Sequence, residues 1–474
     1  MENDKKRKSW SELMMENKET EKNVSHGTIF QIYTSFIVGL LAITDGMAYG
    51  WTSPMIPYLT SDESHLKMSL HEAEWMETWM MIGVIFALPI TVQAVDRIGR
   101  RNTILFSCII LVACWIGITI ASRVEYIYAA RFLKGVGLNM AYVAAPMYLG
   151  EIAHKNIRGL MSGIVFTLMM VGTLLIYILG PLVPYYVPSI IASVLLSTQV
   201  FAFFFLPESP YYLLNIKKYE EAKNALQRFR GNSDIEEEFE EIVKTMESDK
   251  QEKSSSLKAI FQVKHNRKSL IIVLVLDLSQ PFACQEIMLM NLHEILNSAQ
   301  STYMSTTSAG IIFGCIMLVS AIVSSLIVDR FGRKFLLITS SISTGICLVT
   351  LAIYFHMKRS GHNLDSLSWI PIVSVLVYAF VYKIGIGMVP IVITSEIFTT
   401  KIKALGMTIS DGVYVVGSIA SLQMFFALKS TFGIHVPFYL FTCCALVTSL
   451  FTIFLIPETK GKTMEEIQTI LKGE

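Results

Sequence analysis

Twelve runs of about twenty mostly apolar residues fill this chain, and each has the length a helix needs to cross the hydrocarbon core of a bilayer. They lie at roughly 30–50, 75–95, 103–121, 125–148, 160–180, 189–206, 269–291, 304–327, 335–355, 369–394, 405–428 and 437–456. A long polar break at about 207–268 divides them six and six. The composition agrees with a chain that sits mostly in lipid. Only 16% of its 474 residues are charged and 53% are hydrophobic, whereas an ordinary soluble protein carries about 25% charged residues. Soluble domains built from this chain would lack a water-facing surface. Lys+Arg of 39 against Asp+Glu of 38 leaves no net charge to attract nucleic acid. The expectation is an all-α, multi-pass membrane protein.

The placement of cations sets an orientation. With both termini and the 207–268 segment on the cytoplasmic side, 31 of the 39 Lys and Arg lie inside. Five lie outside (Lys67, Arg123, Lys358, Arg359 and Lys429), and three (Arg131, Lys134 and Lys383) fall within spans. The short loops alone give 10 against 5, the asymmetry that orients transmembrane helices. The seven cysteines (Cys108, Cys114, Cys284, Cys315, Cys347, Cys443 and Cys444) all lie in apolar runs without CxxC spacing. They read as small hydrophobes, so neither a disulfide framework nor a metal site is expected. No phosphate-binding loop or nucleophile elbow is present, so neither a cofactor nor an enzyme is expected.

The polar break carries its own pattern. Ile235, Phe239, Ile242 and Met246 recur at helical spacing and make one apolar stripe. Glu236, Glu237, Glu238, Glu240 and Glu241 interleave with it as a solvated face. The segment therefore reads as amphipathic helices lying outside the bilayer.

An internal repeat is the strongest organising signal. Asp96–Arg101 (DRIGRR) follows the second span and Asp329–Lys334 (DRFGRK) follows the eighth, an offset of 233. Glu151 and Arg158 follow the fourth span; Glu396 and Lys403, with the same spacing of seven, follow the tenth. Pro207-Glu208-Ser209-Pro210 follows the sixth span and Pro457-Glu458-Thr459-Lys460 the twelfth, an offset of 250. Three motif pairs recur in order at nearly constant offset, so the chain is two copies of a six-helix unit.

These motifs resemble those of the sugar porters of the major facilitator superfamily, from about residue 30 to the end. The resemblance rests on the two DRxGR stretches, Arg131–Gly137, Tyr148–Ile152 with Arg158-Gly159, Pro207–Leu214 and Pro457–Thr463. Thr52-Ser53-Pro54 and Arg100–Thr103 look most like insect trehalose and hexose transporters. The resemblance implies a major facilitator fold of 12 transmembrane helices in two six-helix bundles, at 30–206 and 269–456. A tail at 1–29, a helical linker at 207–268 and a tail at 457–474 would be cytoplasmic. Parallel repeats of this kind place a substrate site near mid-membrane between the halves.

Two sets of site residues follow. At the inner ends of both halves, Asp96, Glu151, Glu208, Asp329, Glu396 and Glu458 face Arg97, Arg100, Arg101, Arg158, Arg330, Arg333, Lys334 and Lys403. In the family such charges form ion pairs that hold the inner side shut. In the substrate region the resemblance places Phe166 at a glutamine, Gln280 at the first glutamine of the seventh span and Pro281 at the second. It places Glu286 at a sugar-binding asparagine, Ile391 at a tryptophan, and Tyr414-Val415 at an asparagine-tryptophan pair. Gly385, Gly387 and Pro390 keep a helix-breaking pattern. Much of the neutral polar clamp for a pyranose is therefore replaced.

Charges inside spans are functional-site hypotheses. Asp45 falls near an acidic residue of proton-coupled sugar symporters, and Arg131 at the arginine that partners it. Lys383 has Asp277 or Glu286 as a salt-bridge partner, or else it makes the cavity favour anions. His293 and Glu294 read as interfacial. The expectation is a carrier moving a hexose or trehalose down its gradient across the cell membrane, with a sugar and the bilayer as its only partners. A monomer suffices for this. A proton-coupled symporter, a carrier of another organic solute and a non-transporting sensor are the alternatives.

Overall fold

The computed structural model describes residues 10–154, 157–231, 235–251, 263–398, 400–462, 466–467 and 469–470, with side chains from Gly27 onward apart from a few short stretches. Among these residues there is no strand. Ten of the helices are long and apolar enough to cross a membrane. The other two expected spans fall short for different reasons. Val187–Phe203 has 17 residues, a rise of about 26 Å. Val124–Ile152 is 29 residues long but carries Arg131, Lys134 and two terminal glutamates.

In the first half α1 is Trp10–Gly50, α2 Thr52–Leu59, α3 Leu70–Ile98, α4 Arg100–Ile120, α5 Val124–Ile152, α6 Arg158–Leu182 and α7 Val187–Phe203. The linker holds α8 (Pro210–Asn215), α9 (Tyr219–Arg230) and α10 (Glu236–Gln251). In the second half α11 is Lys264–Phe282, α12 Gln285–Met290, α13 Leu292–Ala299, α14 Thr306–Phe331 and α15 Arg333–Arg359. The chain then continues through α16 (Ile370–Ile384), α17 (Val389–Ile397), α18 (Thr400–Phe432) and α19 (His435–Leu455).

The repeat read from the sequence is also a repeat of packing. In the first half α1 lies on α6, α3 on α5, and α4 on both α5 and α7. In the second half α11 lies on α18, α14 on α16, and α15 on both α16 and α19. These are the same span pairs shifted by six. The halves meet where α14 lies on α6, α18 on α3 and α13 on α2.

Local chemistry fixes the element ends. The helix of the second span begins five residues before its hydrophobic run because Ser69 and Glu72 form a capping box. Between α11 and α12 the seventh span breaks, with Pro281 in its last turn and Cys284 at φ +76°. Cys284 is thus a buried turn point of the backbone as well as an apolar filler. The tenth span breaks between Ile384 and Val389. There Ser340 Oγ donates to the Val381 carbonyl at 2.7 Å and accepts from the Ile386 amide at 3.0 Å.

The linker helices form a small core of their own. Ile235, Ile242, Phe239 and Met246 pack with Leu213, Leu214, Ala222 and Leu226. The glutamate face is not wholly solvated: Glu238 pairs with Arg230, whose Nη1 also donates to the Ile152 carbonyl at 2.8 Å. The linker is thereby docked on the end of α5.

Candidate functional site

Four polar regions lie along the molecule, beginning at the end that carries the duplicated motifs. Arg100 donates to Glu151 Oε1 through Nε at 3.0 Å and Nη2 at 2.9 Å, and through Nη1 to the Val95 carbonyl at 3.3 Å. Its repeat-mate Arg333 donates to Glu396 at 2.8 Å and to the Val328 carbonyl at 3.4 Å. The Arg101 amide donates to Glu208 at 3.0 Å. The Arg333 and Lys334 amides donate to Glu458 at 3.0 and 3.1 Å. In each half a carboxylate thus caps a helix N-terminus, where free amides and the helix dipole favour an anion.

Gly99 at φ +95° and Gly332 at φ +87° make the turns that admit these carboxylates. A Cβ would stand 2.4 Å from Glu208 Oε2 in one case and 2.7 Å from Glu458 Oε2 in the other. The two acids differ in environment. Burial outweighs the amide bonds at Glu208 and raises its pKa. At the more open Glu458 burial pushes the same way, but the amides of Lys460, Arg333, Lys334 and Thr459 together lower it.

Among the described residues the motif ion pairs Arg100–Glu151 and Arg333–Glu396 each stay inside one half, where they brace helix ends. Asp96, Arg97, Arg158 and Arg330 are exposed. The side chains of Asp329 and Lys403 lie outside the described ones.

The second region is buried within the first half. Arg131 and Lys134 are fully buried. Arg131 donates to the Met76 and Ala48 carbonyls at 3.4 and 3.3 Å and lies over Trp51 at 5.5 Å. Glu77, a residue sequence reasoning passed over, is buried in the same region and accepts from Asn291 at 3.1 Å. Lys134 lies one helical turn beyond Arg131, with its Nζ 3.0 Å from the Trp115 ring centroid. Asp45 Oδ1, Arg131 Nη2 and Lys134 Nζ are each buried without a hydrogen-bond partner, so no direct contact joins Asp45 to Arg131 among the described residues. An acidic residue in an apolar run next to two tryptophans was the available sign of Glu77.

The third region lies where the resemblance places a substrate. Glu286 on α12 is buried and accepts from the Tyr414 hydroxyl on α18 at 2.7 Å. Its Oε2 is buried without a hydrogen-bond partner. Lys383 on α16 is buried and reaches across to the other half, with Nζ 4.9 Å from the Phe166 ring centroid. Asp277 accepts from the Ser410 hydroxyl. Gln280 is buried nearby in the chain at the end of α11. Gly387 and Pro390 form the break of the tenth span, and Ile391 is exposed. Acidic or aromatic groups (Phe166, Glu286 and Tyr414) thus stand where the family resemblance calls for amides, and aliphatic Ile391 and Val415 where it calls for tryptophan.

At the opposite end from the motifs the halves are tied directly. Lys429 on α18 pairs with Glu74 on α3 at 2.9 Å and with Glu294 on α13. Asn291 donates to Glu77 at 3.1 Å, Gln423 donates to Thr78, and the Tyr177 hydroxyl donates to the Leu289 carbonyl at 2.7 Å. Ser53 Oγ accepts from the His293 amide at 3.1 Å and lies 2.8 Å from its Nδ1. Burial pushes the His293 imidazole down to about 4, so the ring is neutral and Nδ1 can accept from the serine hydroxyl. His293 and Glu294, expected at an interface with water, are members of this seam. A cavity of about 320 Å³ beside it is lined by Tyr58, Tyr185, His293, Asn297 and Thr306 among others. None of the residues matched to the family's substrate positions lines it.

Comparison with known proteins places this architecture. The family model for sugar (and other) transporters matches residues 26–471. The chain is similar to the facilitated trehalose transporter Tret1 of Polypedilum vanderplanki, 27% identical over 447 residues and covering 94% of this chain and 88% of that protein. It is likewise similar to Tret1 of Apis mellifera ligustica, at 27% identity with the same coverages. Among solved structures, the proton:xylose symporter XylE bound to 6-bromo-6-deoxy-D-glucose superposes with a TM-score of 0.74 at 21% identity. That match covers 95% of this chain and 100% of the other. The inward-open form of XylE from E. coli gives a TM-score of 0.76 at 20% identity, covering 93% and 99%. The chain has the major facilitator fold and belongs to the sugar (and other) transporter family.

Proposed function

We propose that the chain carries a hexose or trehalose across the cell membrane by facilitated diffusion, the halves 30–206 and 269–456 rocking about a site between them. The observation that carries the reading is the asymmetry of the polar contacts. The halves are joined at one end by Lys429, Asn291, Gln423, Ser53 and Tyr177, while the described ion pairs at the other end stay within a half. That is what one limb of an alternating-access cycle requires, with the sugar region reachable from the motif end. The positive-inside bias makes the motif end and both termini cytoplasmic. Phe166, Lys383, Glu286 and Tyr414 would then contact the sugar, with charge-assisted hydrogen bonds in place of neutral ones. The chain acts as a monomer in this reading.

The test is uptake of labelled trehalose, glucose, fructose and organic anions in expressing cells at two pH values. Saturable sugar uptake indifferent to pH is the expected result. With surface expression confirmed, absence of any sugar uptake overturns the assignment. One observation favours a second reading, proton coupling: Asp45 Oδ1 is buried without a hydrogen-bond partner, and a neutral carboxyl suits such a place. Sugar uptake that rises on acidification and loses that dependence in Asp45→Asn would select it.

A further inference from the structure

The seam opposite the motifs is built around one cation and two anions. Lys429 Nζ bonds Glu74 at 2.9 Å and also bonds Glu294. All three side chains are largely withdrawn from solvent, at 14%, 13% and 19% exposure, and the Lys429 ammonium lies 5.7 Å from the ring centroids of both Phe425 and Phe426. Their distribution between the halves decides what each can do. Glu74 stands on α3 in the first half, whereas Glu294 on α13 and Lys429 on α18 both belong to the second. The Glu74–Lys429 bond therefore crosses the seam, and the Glu294–Lys429 bond does not.

We infer that Lys429 is the latch of this end of the molecule, and that it works by turning a repulsion between the halves into an attraction. Glu74 and Glu294 are brought together across the seam by the closure itself, and two carboxylates sharing one site repel. The ammonium between them satisfies both. Without it, closure presses like charges together in a place with little water to screen them. The neighbouring contacts do not hold the seam equally well. Glu77 Oε1, Asn291 Oδ1, Glu294 Oε2 and His293 Nε2 are all buried with no hydrogen-bond partner, and each regains water when the seam parts. A latch of one strong cross-seam ion pair over an incompletely satisfied polar surface is poised to open. Glu294 plays a subsidiary part as the second anchor that positions the Lys429 ammonium toward Glu74.

The three residues are therefore unequal. Removing Lys429 leaves two facing carboxylates, removing Glu74 leaves a pair within one half, and removing Glu294 leaves the cross-seam pair intact. The expected order of seam opening is Lys429→Met first, Glu74→Gln second and Glu294→Gln last. Closure is read by a thiol reporter, Thr78→Cys, at a buried seam position bonded by Gln423. A membrane-impermeant maleimide is applied to intact cells and labelling at residue 78 is followed by mass spectrometry, which separates it from the native cysteines. Labelling about tenfold faster in Lys429→Met than in the Lys429 background is expected, with Lys429→Arg returned to the slow rate. If Lys429→Met does not reach the surface, the double variant Glu74→Gln with Glu294→Gln removes the anions and is expected to label faster than Glu294→Gln alone. Equal labelling rates across these variants at equal surface density overturn the latch. The readout needs no cargo. Failure of the latch and failure of the sugar assignment, on which the latch rests only for its place in a transport cycle, are therefore distinguished.

Discussion

Lys134 is a cation with no acceptor. Its Nζ is buried, has no hydrogen-bond partner, and faces the rings of Trp115 and Trp51, with Asp45 as its opposing charge and Arg131 as a like one. A buried charge whose compensation is mostly aromatic is often replaceable by an apolar side chain of similar shape, whereas removing only its partner leaves it exposed to its full desolvation cost. Lys134→Met is therefore expected to leave the thermal midpoint of the detergent-solubilised protein unchanged or raised. Asp45→Asn is expected to lower stability by about 1–3 kcal/mol. Thermal unfolding followed by intrinsic fluorescence distinguishes them, and a Lys134→Met protein that melts well below the wild type would show that the ammonium itself is needed. Arg131, Asp45 and Lys383 were visible in the sequence because charges are conspicuous in apolar runs. Which carboxylate each cation meets was not visible, because positions on α1, α3 and α5 become neighbours only when the helices pack.

The element scale is governed by helix ends. Gly99 and Gly332 join spans two to three and eight to nine in a backbone region that is open almost only to glycine. Each lets a distant carboxylate seat on the next helix N-terminus. Gly99→Ala and Gly332→Ala are each expected to cost about 2 kcal/mol or more. Gly99→Ala should be the worse of the two, since its Cβ would lie closer to the more buried carboxylate. Thermal midpoints of the two variants against wild type check both the size and the order. The duplicated motifs place a glycine at the same point of DRIGRR and DRFGRK, but that each turns the chain to admit a carboxylate became visible only in the fold. Other boundaries were less readable. Hydropathy marks where lipid begins, not where a helix does, so the capping box at Ser69 and the left-handed Cys284 shifted or divided elements that an apolar run shows as continuous.

For the whole molecule, the quantity that matters is which state of the paired halves a solute favours. A cargo held between Phe166 of one half and Lys383, Glu286 and Tyr414 of the other contacts both bundles, so it stabilises the assembled protein by mass action. At one hundred times its dissociation constant the gain is about 2.7 kcal/mol. A panel of sugars at saturating concentration is expected to raise the thermal midpoint only for those that are transported, and Lys383→Met is expected to abolish the shift. A shift that persists unchanged in Lys383→Met would place the cargo elsewhere.

Twelve apolar runs, the cation bias and three motif pairs at nearly constant offset were enough to determine a duplicated helical membrane protein, because bilayer thickness and backbone hydrogen bonding leave a chain of this pattern few other folds. The repeat contained the residues that cap the helices within each half, although the capping itself emerged only from the fold. What only the tertiary structure decided is everything that depends on two elements far apart in the chain. It assigned Arg100 to Glu151 and Arg333 to Glu396 within halves, set Lys134 against Trp115 and Asn291 against Glu77, and joined Glu74 to Lys429 across 355 residues. An ion pair is set by distance and burial together, and neither exists until the helices have packed.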